Sequence, residues 1–376
     1  MNYNKILYIS PNGFWGGAEK FVLENLLLHQ RSGLFTPVVL FLNNGPIAEE
    51  TKKLGIPTYI LPFPLRMRNP FSFIRALGFI LKIIRSENIE LVHSTMSYAH
   101  LLGAPAAYLS KIPEVWFQHG PVGNLWDKVG KFIPSRKILF NSSFLMNQQK
   151  FIFGPNHLMD EEVLPLGVDI NKNVNFDKGK FVKKDESLLL WVGRISFGKG
   201  LHLTIEALGL LKKELPFKML VVGSPSNEED EEYFKKLKRR IEELNLTESI
   251  EFLGNQKEVS AYYNTADLLI HSAVIPESFG LVVAEGLGHG ALVLASIHGG
   301  VADFFSHFPG GKNFIYDSFR SDASILLAEK IKMAINYPVD NVLAFKAGAS
   351  DYIMKEHSHS KMNQELERIY SEILNK

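Results

Sequence analysis

The sequence contains no cysteine. Disulfides and thiolate metal sites are thereby excluded, and a reducing compartment is permitted. Neither charge dominates: 41 Lys and Arg stand against 40 Asp and Glu, so no bulk field marks the chain as a nucleic-acid binder. Long hydrophobic runs are missing as well. The N-terminal MNYNKILYIS is too short in apolar length for a signal peptide, and the best membrane-spanning candidate, FSFIRALGFILKIIR, is broken by Arg75 and Lys82. No G-x-G-x-x-G follows a strand-like run, which disfavours a nicotinamide dehydrogenase, and neither half contains a D-x-D metal triplet. These exclusions lead us to expect a soluble, cytoplasmic protein.

What is present is a pattern. At 376 residues the chain fits two domains of ordinary size. Short apolar runs rich in β-branched and aromatic residues alternate with segments of helical period, twice over. In the first half the runs are KILYIS (5–10), PVVLFLN (37–43), IPTYILP (56–62), IELVHS (89–94), EVWFQHG (114–120) and KILFNS (137–142). In the second they are SLLLWVGR (187–194), FKMLVVGS (217–224), SIEFLGN (249–255), ADLLIHSA (266–273) and ALVLAS (291–296). Strand–helix alternation with apolar strands predicts parallel sheets covered by helices on both faces. The fold class is therefore α/β, two doubly wound Rossmann-like domains facing across a deep cleft that holds the ligand at the carboxyl ends of the strands. The expected divisions are an N-terminal domain over 1–168, a polar linker over 169–186 and a C-terminal domain over 187–358. A closing helix over 359–376 is expected to pack back toward the N-terminal domain.

Strand ends are where chemistry is expected. In SLLLWVGRISFGKG a strand runs into Arg194, a loop, Lys199 and a helix starting near Gly200. A forked donor and a point charge beside a helix N-terminus suit a diphosphate. An exposed, solvated turn is the plain alternative. In PESFGLVVAEGLGHG (276–290) two glutamates, Glu277 and Glu285, flank a helix expected to begin near Phe279. Eight helical residues rise about 12 Å. That exceeds the roughly 5–9.5 Å between a glycosidase's two carboxylates, so these act separately on one long ligand. Between them the N–H groups of Phe279, Gly280 and Leu281 can face a phosphate. A third turn, SPNGFWGGAEK (10–20), brings Gly16 and Gly17 after the first strand.

These places together resemble the retaining sugar-nucleotide-dependent glycosyltransferases of the GT-B fold, family 4 or group 1. The likeness runs over nearly the whole chain. Its strongest markers are VGRISFGKG and ESFGLVVAE, with GFWGGAEK, FQHGP, PLGVD and the GG of SIHGGVAD in support. The resemblance implies that Arg194 and Lys199 hold the donor diphosphate, that Glu277 bonds the transferred sugar and that Glu285 bonds the ribose. It directs His119 to the donor sugar and makes Gly16 and Gly17 the loop over the phosphates. It implies a nucleotide-diphosphate sugar as co-substrate, a saccharide or lipid-linked acceptor, retention of anomeric configuration, and no cofactor or metal. Bacterial cell-surface polysaccharide or glycolipid synthesis is the expected setting.

The chain also departs from the family pattern. Gly286, Gly288 and His289 follow Glu285 in place of the usual run, Leu292 stands where proline is usual, Leu166 replaces a common asparagine and Asp303 a usual glutamate. Two extra helix glycines cost about 1 kcal/mol each relative to alanine, so that helix is either tightly packed against its neighbours or looser than in relatives. In 70–86, Ile74, Leu77, Leu81 and Ile84 are expected on one apolar face, with Arg75, Phe79, Lys82 and Ser86 on another. With RMR at 66–68, this suggests peripheral contact of 66–86 with the inner face of the plasma membrane; a core-facing helix is the plainer reading. Two other functions compete with transfer: a sugar-nucleotide epimerase on the same fold, and a noncatalytic subunit that binds a nucleotide sugar.

Overall fold

The computed structural model describes residues 4–13, 17–174, 176–183 and 185–375. They form two units, Met1–Leu166 with Ser360–Lys376, and Gly167–His359. The N-terminal unit contains β1 (Asn4–Ser10), α1 (Gly17–Ser32), β2 (Phe35–Phe41), α2 (Pro46–Lys53), β3 (Thr58–Ile60) and α3 (Pro70–Glu87). It continues through β4 (Leu91–Thr95), α4 (Met96–Ser110), β5 (Glu114–Gln118), α5 (Leu125–Gly130), β6 (Lys137–Phe140), α6 (Ser143–Phe153) and β7 (Asp160–Val163). Its strands pair in parallel in the order β3-β2-β1-β4-β5-β6-β7.

The C-terminal unit runs β8 (Ser187–Val192), α7 (Leu201–Leu211), β9 (Phe217–Val222), α8 (Glu228–Glu243), β10 (Ile250–Gly254), α9 (Ser260–Thr265) and β11 (Leu268–His271). Then follow α10 (Leu281–Gly288), β12 (Val293–Ser296), α11 (Val301–Phe304), β13 (Ile315–Tyr316), α12 (Ala323–Ile335) and α13 (Val339–Glu356). This sheet is parallel too, in the order β10-β9-β8-β11-β12-β13. Each order reverses at one place, between β1 and β4 and between β8 and β11, and such switch points are where loops diverge to admit ligands. The central strands are buried over most of their length, as apolar runs covered on both faces require. The last helix, α14 (His359–Leu374), belongs to the N-terminal unit from Ser360 onward.

The polar stretch 169–186 is docked on the C-terminal unit rather than left as a free linker. Lys178 Nζ reaches both carboxylate oxygens of Asp267 at 2.6 Å, and Asn264 Nδ2 donates to the carbonyls of Asn171 and Val174 at 3.1 and 2.6 Å. The chain passes between units earlier, at Leu166–Gly167, beside its return at His359–Ser360. There Val168 pairs in parallel with Ser358 and its N–H donates to the His357 carbonyl at 2.8 Å.

Two expectations about helices are decided by packing. Helix α10 is tight, not loose: a Cβ on Gly286 would lie 2.3 Å from Leu269 Cδ2, and one on Gly288 2.5 Å from Ile170 Cδ1. Both glycines are explained by the neighbours they admit. Helix α3 turns most of the expected stripe inward, with Ile84 buried and Leu77 and Leu81 packed partly buried against the core, but leaves Ile74 outside and takes Phe79 in. Ala76, Ile80, Ile83 and Ile84 are buried, Ile74 is 63% exposed, and Phe79 is partly buried against the core. The helix carries apolar residues around most of its circumference, so spacing alone left two stripes to choose from. Its exposed side now reads Phe71, Ile74, Arg75, Gly78, Lys82, Arg85 and Ser86. Among the described residues no helix is long and apolar enough to cross a membrane.

Candidate functional site

The carboxyl ends of β8 and β11 are bolted together by one serine. Ser272 Oγ accepts from Trp191 Nε1 at 3.1 Å and from Thr204 Oγ1 at 2.9 Å, and donates to the Gly200 carbonyl at 2.9 Å. All the hydrogen-bonding capacity of the hydroxyl is used. Val274 N–H adds a bond to the Gly198 carbonyl at 2.9 Å. Gly200, with φ +71°, is obligatory here, because a Cβ would lie 1.8 Å from the Ser272 carbonyl oxygen. This joint holds the turn bearing Lys199 against the loop bearing Glu277.

Lys199 and Glu277 meet. Lys199 Nζ donates to Glu277 Oε1 at 2.7 Å, and His271 Nε2 lies 3.0 Å from the same oxygen. Burial alone pushes the Glu277 carboxyl up, but the Lys199 ammonium and the His271 bond outweigh it and hold the group well below the usual carboxylate range. Glu277 is therefore an anion that accepts from donors. The loop after β12 supports its backbone: Glu277 bridges in parallel to Gly299, and Gly300 N–H donates to the Glu277 carbonyl at 2.9 Å. Lys199 has three N–H donors, of which this ion pair takes one, so the ammonium can serve a phosphate as well.

Arg194 follows β8 with its guanidinium largely exposed. Its Nε is 3.8 Å from Asp230 Oδ2, whose carboxylate is fixed by Ser226 Oγ at 2.8 Å. The helix predicted near Phe279 starts two residues later. Gly280 takes a left-handed conformation and caps α10, so Leu281 is its first residue. Phe279 is buried instead, edge-on to Phe304 at 5.2 Å and to His357 at 5.7 Å. Gly280 and Leu281 thus form a helix start without a side-chain cap, while Phe279 anchors the turn. Glu285 Oε2 accepts from the Tyr263 hydroxyl at 2.9 Å, a partner unrelated to those of Glu277. The two glutamates are separate groups, as their spacing predicted.

In the N-terminal unit, His119 follows β5 and is buried between Phe117, at a ring distance of 4.0 Å, and Phe21, at 4.5 Å. Burial pushes its imidazole down to about 3, so it stays neutral at working pH. Asn141 Nδ2 fixes its carbonyl at 2.8 Å. Gly17 opens α1, and Gly16 lies outside the described residues. His271 escaped the sequence reading. Its signal was position, the last residue of a strand run six residues before Glu277, but a histidine in ADLLIHSA reads as one more buried side chain.

Comparison with known proteins decides the family. Residues 15–172 match the description Glycosyltransferase Family 4, and residues 173–340 match Glycosyl transferases group 1. The chain belongs to this glycosyltransferase family. An uncharacterised glycosyltransferase of Methanocaldococcus jannaschii is 24% identical over 61% of this chain and 63% of its own. The lipopolysaccharide 1,2-N-acetylglucosaminetransferase of Salmonella typhimurium is 31% identical over 40% of this chain and 41% of its own. The alignments thus span less than two thirds of each of these two relatives. The capsular polysaccharide biosynthesis glycosyltransferase CapH of Staphylococcus aureus is 24% identical over 78% of this chain and 81% of its own. Among solved structures, a glycosyltransferase of Rickettsia africae superposes with a TM-score of 0.85 at 22% identity, covering 100% of this chain and 99% of that one. HepE of Anabaena, solved with UDP and glucose, superposes with a TM-score of 0.82 at 20% identity, covering 98% and 100%. The fold of this family member is GT-B, two Rossmann-like units in one chain.

Proposed function

We propose that this chain is a retaining, metal-independent glycosyltransferase. It moves a sugar from a nucleotide-diphosphate donor to a saccharide or lipid-linked acceptor in cell-surface polysaccharide or glycolipid synthesis. The observation that carries the reading is the Lys199–Glu277–His271 constellation at the carboxyl ends of β8 and β11, beside the start of α7. Relatives named for lipopolysaccharide and capsule synthesis, and a neighbour in fold solved with UDP and glucose, support it.

In this reading the bond between the anomeric carbon and the donor's phosphate oxygen breaks, and negative charge gathers on the leaving diphosphate. Lys199, Arg194 and the N–H groups of Gly280 and Leu281 stabilise it in place of a divalent ion. The acceptor oxygen bonds to the anomeric carbon from the same face, and its proton passes to the departing phosphate. Glu277, already anionic and doubly held, accepts from the sugar's hydroxyls and is no nucleophile. Glu285 bonds the ribose.

A thermal-shift panel of UDP-, GDP- and ADP-sugars tests the donor class, followed by transfer or hydrolysis with the best binder. One nucleotide should raise the midpoint, product NMR should show the donor's anomeric configuration, and turnover should survive EDTA. Loss of turnover with chelator removes the charge-clamp mechanism, and an inverted product removes retention.

Membrane contact belongs to the same reading. The exposed side of α3 pairs Phe71 and Ile74 with Arg75, Lys82 and Arg85, and no acidic residue occurs between 62 and 86. Such a face suits an anionic lipid surface at the inner leaflet. The protein should co-sediment with anionic vesicles and much less with neutral ones; equal binding to both discards the contact.

A further inference from the structure

Helix α14 lays one buried hydroxyl, that of Tyr370, into the middle of the N-terminal unit. Tyr370 Oη is 2.6 Å from His93 Nδ1 and 2.9 Å from Tyr8 Oη. Tyr8 Oη is in turn 2.8 Å from His29 Nε2. At the far end Glu367 Oε1 receives Ser32 Oγ at 2.8 Å and stands 3.3 Å from His29 Nδ1.

The chemistry of the ends gives this chain a direction. Burial tends to raise the Glu367 carboxyl, but the bonds from His29, Ser32 and Asn363 outweigh it and hold the group below its ordinary value. An ionised carboxylate only accepts, so His29 donates to it from Nδ1 and accepts at Nε2 from Tyr8. Tyr8 then accepts from Tyr370, and Tyr370 accepts from His93 Nδ1–H. Burial holds His93 well below its ordinary value, so the ring is neutral and has this one N–H to give. The network fixes both the tautomer and the orientation of His93.

His93 also packs against the two rings that enclose His119. Its ring lies 6.0 Å from Phe117 and 6.1 Å from Phe21, and it stacks on Tyr8 at 4.7 Å. Those same phenylalanines stand 4.0 and 4.5 Å from His119. We propose that Tyr370 is a positioning residue for His119: its hydroxyl fixes the His93 ring, and that ring sets the two phenylalanines between which His119 is held. The proposal rests on the part given above to His119 in the transfer. It gives the end of the chain, 251 residues further on, a hand in the geometry of the N-terminal site.

The test is Tyr370→Phe in the full chain, which keeps the ring and deletes the hydroxyl. With the best donor from the panel, turnover should fall about tenfold with donor KM changed by less than about twofold. In histidine-selective proton–carbon spectra the His119 ring signals should move while those of His202 and His298, in the other unit, stay. Ile80→Val, a packing change in the same unit, should leave both readouts alone once compared at equal folded fraction. Should Tyr370→Phe fail to fold, Glu367→Gln replaces the accept-only carboxylate by an amide that can also donate, so the network loses its fixed direction at nearly constant volume, and should shift the same His93 and His119 signals. Unmoved His119 signals overturn the proposal, as does an equal loss of turnover in Ile80→Val. Shifted signals with full turnover uphold the coupling and strike His119 from the reaction instead.

Discussion

Lys199→Ala should cut turnover by about 10²–10³-fold. It should also destabilise the protein by about 2 kcal/mol at neutral pH, below the 3–5 expected of a fully buried pair because Lys199 is a third exposed. The first effect follows from losing a positive group aimed at developing charge. The second follows from leaving the Glu277 anion without its ammonium partner, beside His271. The pH dependence separates them. In the parent, Glu277 is depressed, so its stabilising contribution is complete above the unfolded value of about 4.3 and disappears as pH falls through the lowered folded value. Without Lys199, burial prevails and the carboxyl moves up. A raised carboxyl binds its proton more tightly in the folded state, so the variant's deficit is full at pH 7 and narrows as pH falls. Urea unfolding at pH 7 and 4.5 measures this. The double variant Lys199→Ala/Glu277→Gln should recover much of the stability and none of the turnover. A deficit that is the same at both pH values, or turnover restored in the double variant, would sink the shared role of Lys199.

Most of the fold was legible because central parallel strands are apolar on both faces, and runs such as KILYIS and SLLLWV can hardly be anything else. The strands that escaped, β7 with DEEV and β13 with IY, lie at the sheet edges. An edge strand pairs on one side only and can be polar or two residues long, so neither period nor composition betrays it. At the candidate site, Lys199 and Glu277, which the structure joins, could be singled out with Arg194 and Glu285 because VGRISFGKG and ESFGLVVAE set them at fixed spacings around glycines. His271 was not, since its bond to Glu277 depends on how the loop after β11 folds back to the end of that strand, which no local pattern records. The same limit explains α3 and Tyr370. A helix rich in apolar residues offers several stripes, and a tyrosine in ELERIYSEIL shows only that its ring is turned inward, not which hydroxyl it meets.

Gly299→Ala should be severely damaging at the candidate site. Gly299 has φ +90°, and a Cβ there would lie 2.1 Å from the Glu277 carbonyl oxygen and 2.6 Å from its nitrogen. Both obstacles are backbone, so no side chain can swing aside. The Glu277 backbone is itself tied down by the Gly300 N–H, so relief must come from moving the carboxylate that Lys199 and His271 hold. The expected cost exceeds about 3 kcal/mol, with turnover of the remaining folded protein reduced at least about 10²-fold. Gly290→Ala is the matched control. It too has a left-handed φ, +78°, but no atom lies within 4 Å of its would-be Cβ. It should cost only about 1–2 kcal/mol of backbone strain and leave turnover intact. Urea unfolding and initial rates on the two variants make the comparison. Similar losses in both would mean that left-handed strain alone matters and that the loop after β12 does not hold Glu277 in place.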